Sequence, residues 1–292
     1  MNAFEEEVER RYVWTICISI FVQIPLLWSH HSKLNVSGKN IVLNFLTEDY
    51  AKRNEPHFGE TIGRVANRLK NATVCLNGRD YMLDKNDPAN CIHGGFKGWE
   101  QQYFYPAQQK THGRDAWRFS YTNKDSDGKF PETVEVTVWY TEYYKQDTRR
   151  KAMLEIEYEE SARNMECEET AKHADNIYIS SYFTLTGNKT IAGSKAQLYV
   201  RRYLPIDQTG IPNGTIKEFP DDITKQFELE ETAPQINNCF VLKTTTDPKC
   251  LWIRASWIFN YLALSIAQIQ TCIWRFSVRS QPFNSTLVTI SM

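Results

Sequence analysis

The sequence predicts an all-β protein, a large antiparallel β-sandwich or a related closed all-β form, and three observations carry that expectation. Segments across the middle of the chain alternate apolar and polar residues with a period of two. An Asn-Gly pair separates two apolar-rich runs, and long capped stretches with a 3.6-residue period are missing there. Within Thr133–Tyr140, residues Val134, Val136, Val138 and Tyr140 alternate with Glu135, Thr137 and Trp139. Leu154, Ile156 and Tyr158 alternate with Glu155, Glu157 and Glu159 in the same way. Ala116–Tyr121 sets Trp117, Phe119 and Tyr121 on one face and Arg118 and Ser120 on the other. Such a period marks strands with one buried face. Asn77-Gly78 lies inside TVCLNGRDYML and predicts a two-residue hairpin tip, because only residues that accept a positive φ suit that turn.

The ends read differently. Residues 1–34 form an N-terminal extension with an apolar run, 35–249 the β-sandwich domain, and 250–292 an apolar C-terminal tail; both ends are expected to be irregular or helical. The run Val13–Trp28 follows Arg10-Arg11 and resembles the apolar region of a signal peptide, although Glu5-Glu6-Glu7 suits such a leader poorly. Gln23 and Pro25 interrupt it, and it is shorter than the roughly 18 residues a membrane span needs. Leu251–Phe276 has the composition of a helix, but Arg254, Asn260, Gln268 and Gln270 argue against a membrane span.

The chain has 292 residues, enough for one large domain or two small ones, and its 41% apolar and 24% charged content is that of a soluble protein. A formal net charge of −1 argues against a nucleic-acid partner, which would call for a basic excess. The seven cysteines are scattered without a CxxC pair, so zinc-ligand spacing is absent and reduced, buried thiols are expected. That favours a cytoplasmic protein; secretion or anchoring through residues 13–28 is the alternative, to which five Asn-x-Ser/Thr triplets would also belong. The fifteen Tyr, fifteen Phe and eight Trp serve first as β-core residues, and individual rings could also lie against sugar faces.

Two stretches carry the chemistry. In GETIGRVANRL (59–69), Asn67 and Arg68 offer amide and guanidinium donors suited to polyol hydroxyls, whereas on these residues alone an exposed turn with an ordinary surface Arg is the better explanation. In NCIHGGFKGW (90–99), His93 precedes two glycines that leave its imidazole unscreened and let a ligand approach the backbone.

The order GRVANR, Asn-Gly hairpin and NCIHGGFKGW resembles the N-terminal signature of the aldose 1-epimerase (galactose mutarotase) family. Ser181-Tyr182-Phe183-Thr184-Leu185-Thr186-Gly187 resembles that family's SYFNLSG stretch, and Tyr203–Gly214 (YLPIDQTGIPNG) its next loop. Pro234–Val241 falls where the family has a strand carrying an aspartate, and the likeness runs from about residue 40 to 245. The resemblance implies a galactose mutarotase-like sandwich that interconverts the anomers of a free aldohexose, galactose or glucose. The ring opens by paired proton transfer, which needs no metal or organic cofactor. Asn67, Arg68, His93 and Asn237 would bind the sugar, with Asn237 standing where the family's aspartate stands.

The catalytic positions depart from the family pattern. Ser180 occupies the place of the family's acidic histidine, and a serine hydroxyl is too weak an acid for that task. No Glu follows Glu231, so the family's C-terminal base has no counterpart. These departures predict little acceleration of mutarotation. They leave open a carbohydrate-binding relative without turnover, a truncated or misassembled product, or another enzyme on the same sandwich. If the chain is active, His173, Asp207 and Glu218 are the positions to test for a substitute role.

Overall fold

The structure is a computed structural model. It describes residues 11–17, 20–25, 33–36, 39–43, 57–76, 78–145, 151–162, 178–180, 182, 192–196, 198, 201–230, 236–242, 249–256, 261–263, 268–269, 272–273, 275–281 and 285–291. The chain divides into two compact units, one of residues 1–40, 44–180 and 277–291, the other of 41–43, 181–276 and 292.

The first unit opens with β1 (Arg11–Cys17), β2 (Ile20–Pro25), β3 (Lys33–Val36) and β4 (Lys39–Asn40), which pair in chain order as one antiparallel sheet. Short strands follow: β5 (Glu60–Ile62), β6 (Arg68–Leu69), β7 (Thr73–Leu76), β8 (Arg79–Met82) and β9 (Cys91–Ile92). In the β7–β8 hairpin Leu76 faces Arg79, which leaves two positions at the tip as expected. Gly78 has φ +74°; Asn77 lies outside the described residues.

The long strands come next: β10 (Tyr105–Thr111), β11 (Arg114–Asn123), β12 (Val134–Lys145) and β13 (Lys151–Ala162), paired antiparallel with one another in chain order. β14 (Tyr178–Ser180) then returns to pair with β5. The period-two reading holds across this sheet, with Val134, Val136, Val138, Tyr140, Leu154, Ile156 and Tyr158 all buried. The opposite face is partly closed as well. Thr137, Trp139, Thr141 and Glu157 are also buried, with Trp139 Nε1 donating to Glu159 Oε2 at 2.9 Å and Arg118 lying over the indole. A face expected to be polar and exposed is therefore covered at β12, because long cross-strand side chains fold over the tryptophan.

The second unit contains β15 (Lys195–Ala196), β16 (Arg202–Leu204), β17 (Lys217–Glu218), β18 (Phe227–Glu228), β19 (Ile236–Leu242), β20 (Lys249–Ser256), β21 (Tyr261–Ala263), β22 (Gln268–Ile269) and β23 (Cys272–Ile273). Its main sheet has the order β17-β16-β19-β20-β21. Tyr203, Phe219 and Phe240 stack around one another there, with ring centroids 5.7 to 6.4 Å apart. The chain ends with β24 (Arg275–Gln281) and β25 (Ser285–Ser291), which complete the order β10-β11-β12-β13-β25-β24.

The all-β class is thus what the structure shows, and the ends take part in it. The helix considered for Leu251–Phe276 is replaced, in its described parts, by strands. Described residues of the apolar run Val13–Trp28 form the β1–β2 pair, and no described helix is long and apolar enough to cross a membrane. The physical reason is pairing. β-branched residues such as Thr286, Val288 and Ile290 suit a pleated strand, and β13 would otherwise present an open edge. At β13 that edge is occupied by β25.

Ile156 is fully buried and sits between Tyr140 and Val288 in the register. Ile156→Ala is expected to lower the unfolding free energy by about 2–5 kcal/mol, read from the urea midpoint, since the cavity is walled by strands on both sides.

Candidate functional site

Two chain segments, 57–69 and 90–100, fold against each other, and glycine is what lets them. Gly63 lies beneath the Trp99 indole so closely that a Cβ there would overlap the ring. Gly94, at φ +89°, presses on the Gly63 carbonyl in the same way. The Trp99 N–H donates to Gly63 O at 3.1 Å and its indole Nε1–H to Asn123 Oδ1 at 3.3 Å, so the ring is pinned by both ends. The glycines of GRVANR and HGG are therefore requirements of packing before they are anything else.

On that floor stand the residues singled out from the sequence. Asn67 and His93 are bonded reciprocally: His93 N–H donates to Asn67 O at 3.1 Å, and Asn67 N–H donates to His93 Nδ1 at 3.0 Å. A backbone N–H can only donate, so Nδ1 carries the lone pair and the neutral ring holds its proton on Nε2. Arg68 faces Ile92 across β6–β9, next to His93 in the chain. Its Nε donates to Asp87 Oδ2 at 2.5 Å, and its backbone N–H donates to Asn67 Oδ1 at 2.9 Å. Asp87 is itself placed by a loop in which Asn86 brackets Ile92 with two hydrogen bonds and Asn90 Oδ1 accepts from Asn71 N–H. Asn67, Arg68 and His93 thus converge although 26 positions separate the first from the last.

The remaining candidates fall elsewhere. Ser180 pairs through its backbone with Glu60 across β5–β14. Asn237 lies on β19 in the second unit, opposite Arg254, and its side chain is outside what the structure describes. Asp207 spends Oδ1 on its own loop, accepting from Thr209 N–H, Thr209 Oγ1 and Ile211 N–H. Glu218 forms an exposed ion pair with Arg201 at 3.6 Å. His173 is outside the described residues. Neither Asp207 nor Glu218 has the setting of a poised acid or base.

Sequence reasoning passed over four charged side chains around the same floor. Arg64 is buried and donates to Pro131 O at 2.6 Å and Glu132 O at 3.0 Å, so it clamps the loop after Phe130. His57 Nδ1 lies 2.7 Å from Glu60 Oε2, and its ring stands edge-on to His93 with centroids 5.2 Å apart. Burial pushes the Glu60 carboxyl above its ordinary range, offset in part by the His57 hydrogen bond and charge. Glu100 is buried with Oε2 lacking any hydrogen-bond partner, and burial pushes it to about 7 against the opposing charge of His57. A signal existed in the sequence. Glu60 and Glu100 are carboxylates set directly beside Gly59 and Trp99, inside segments otherwise built for burial.

The strand order shows an antiparallel all-β protein, and solved structures of similar fold give its class, a galactose mutarotase-like fold. A GalM/aldose epimerase homologue from C. elegans superimposes with TM-score 0.64 at 20% identity, covering 81% of this chain and 73% of that one. Galactose 1-epimerase from Lactobacillus acidophilus gives TM-score 0.67 at 15% identity, with 96% and 92% covered. The aldose 1-epimerase family model matches residues 22–257, and the chain belongs to that family. The match takes in part of both end segments, 1–34 and 250–292. Among curated relatives, the bifunctional protein gal10 of Schizosaccharomyces pombe is 32% identical over 246 residues, 82% of this chain and 33% of its own length. Galactose mutarotase of the mouse is 29% identical over 197 residues, 66% of this chain and 52% of its own. The chain therefore spans about a third to a half of the length of these curated relatives.

Glu100 gives a prediction of sign. Its folded pKa lies above the ordinary value of 4.5, so its favourable, protonated state is fully present below that value and is lost as pH rises toward about 7. Glu100→Gln should flatten this fall and leave the protein more stable than wild type at pH 8, by up to about 3 kcal/mol. Thermal unfolding across pH 4 to 8 measures it.

Proposed function

We propose that this chain binds a free aldohexose, galactose or glucose, at Asn67, Arg68 and His93 and interconverts its α and β anomers. The observation that supports this most is the reciprocal Asn67–His93 bonding beside an Arg68 held by Asp87. It sets out pre-oriented donors: His93 Nε2–H, the Asn67 amide nitrogen and the terminal nitrogens of Arg68. Sugar hydroxyls accept such bonds well, and donors already fixed by their own partners lose little freedom when they bind. The mutarotases and epimerases among the relatives bear the same reading. The scattered cysteines favour a reducing compartment such as the cytoplasm; of the two described as free thiols, Cys91 is buried as expected and Cys75 is exposed.

The expected outcome is measurable by calorimetric titration with galactose and with glucose. Arg68→Ala and His93→Ala should each weaken binding by about tenfold or more, the value of one good hydrogen bond to a charged or fixed donor. Lys110→Ala, on the exposed end of β10, should leave it unchanged. Unaltered affinity in both site variants, with the fold intact by circular dichroism, would move the binding site elsewhere.

A further inference from the structure

Anomer exchange needs one group that takes the proton from the anomeric hydroxyl and another that protonates the ring oxygen. The structure offers another imidazole. His57 is joined to Glu60 at 2.7 Å and stands edge-on to His93 at 5.2 Å, with the ring planes 76° apart. Position 180 lies directly across the β5–β14 pair from Glu60, so the two occupy the same stretch of backbone. We propose that His57, oriented by Glu60, is the general base of this site. This assignment rests on the anomer-interconverting reading above and deepens it.

Burial divides the roles. The Glu60 side chain is 2% exposed, whereas His57 keeps 18% of its side-chain surface. The carboxylate is screened from solvent and the imidazole reaches it, which is how an orienting acid and the base it serves are arranged in catalytic dyads and triads. A carboxylate oxygen accepts from Nδ1–H, which makes Nε2 the basic nitrogen. His93 is committed the opposite way by Asn67 N–H, its proton on Nε2. Two imidazoles side by side thus carry different duties, His93 donating to a hydroxyl and His57 accepting a proton.

The step balances with water as the only co-reactant. His57 Nε2 takes the proton of the O1 hydroxyl, and the freed O1 electron pair forms the C1=O1 double bond. The C1–O5 bond breaks with its pair going to O5, which takes a proton from a water molecule. The hydroxide left behind recovers a proton from the His57 imidazolium, restoring both. Rotation about C1–C2 and the reverse sequence close the ring as the other anomer. Glu60 is a positioning residue here: it holds the imidazole and stabilises its charged form. Glu100 is buried beside the same charges, with His57 and Glu60 both acting on it.

Polarimetry on freshly dissolved α-D-galactose tests this, with galactose affinity measured in parallel. Wild type should accelerate equilibration over buffer, in contrast to the little acceleration that the Ser180 and missing C-terminal Glu departures predict when taken alone. His57→Gln should lose about 10²–10⁴-fold in kcat, the usual contribution of one proton-transfer group, while affinity stays within about twofold. Glu60→Gln should lose less, and the acid limb of its pH–rate profile should move to lower pH, because the imidazolium loses a neighbouring negative charge. An active wild type matched by His57→Gln overturns the base assignment and leaves the anomer reading standing. A wild type that binds galactose at buffer rate overturns the assignment together with turnover, and one that neither binds nor accelerates overturns the proposed function itself. Should His57→Gln fail to fold by circular dichroism, the Glu60→Gln profile decides, and an unmoved acid limb sinks the proposal.

Discussion

The contact between Gly63, Gly94 and Trp99 is the constraint on which the rest of the site depends. An indole laid flat on one glycine, and a second glycine pressed on the first one's carbonyl, bring segments 57–69 and 90–100 to van der Waals distance. Interiors are packed like organic crystals, so no side chain can be inserted there without moving the ring or the backbone. Trp99 in turn is tied to Asn123 on β11, which links the floor to the long sheet. Asn67 and Arg68 leave the same crossing on one side and His93 leaves it on the other, and their mutual bonding is a consequence of how closely the backbones approach.

Electrostatics then grade the side chains by depth. Arg68 and Asp87 pair near the surface, each part-exposed, where an ion pair contributes little to stability but fixes direction. Below them Glu60 and Glu100 are buried, and desolvation drives both carboxyls upward. Glu60 is compensated by His57; Glu100 has one oxygen without a partner. An uncompensated buried carboxyl is costly in any fold, and such costs gather at places where chemistry uses them. Through His57, which keeps part of its surface exposed, the buried Glu60 is linked to solvent.

The ends of the chain show how pairing overrides composition. Ser285–Ser291 is a short strand by its β-branched residues, and it becomes part of the domain because β13 offers it a full row of backbone partners. Lys249–Ser256 does the same beside β19. Composition alone pointed to a helix around residues 251–276, since apolar residues without a clear period fit either state. Only the open strand edges of the preceding domain decide between them.

By itself the sequence determined the all-β class, the β7–β8 hairpin and the alternating strands β11 to β13, because a period of two and an Asn-Gly turn are local physics readable within a few residues. It also singled out Asn67, Arg68 and His93, whose residue types and flanking glycines are local signals too. What only the tertiary structure decided was which charged groups meet. His57, Glu60 and Glu100 are ordinary letters in the sequence, and their roles arise from burial and from neighbours up to 43 positions apart. Desolvation and close approach are properties of the packed chain, so the chemistry that depends on them is written in contacts rather than in spacing.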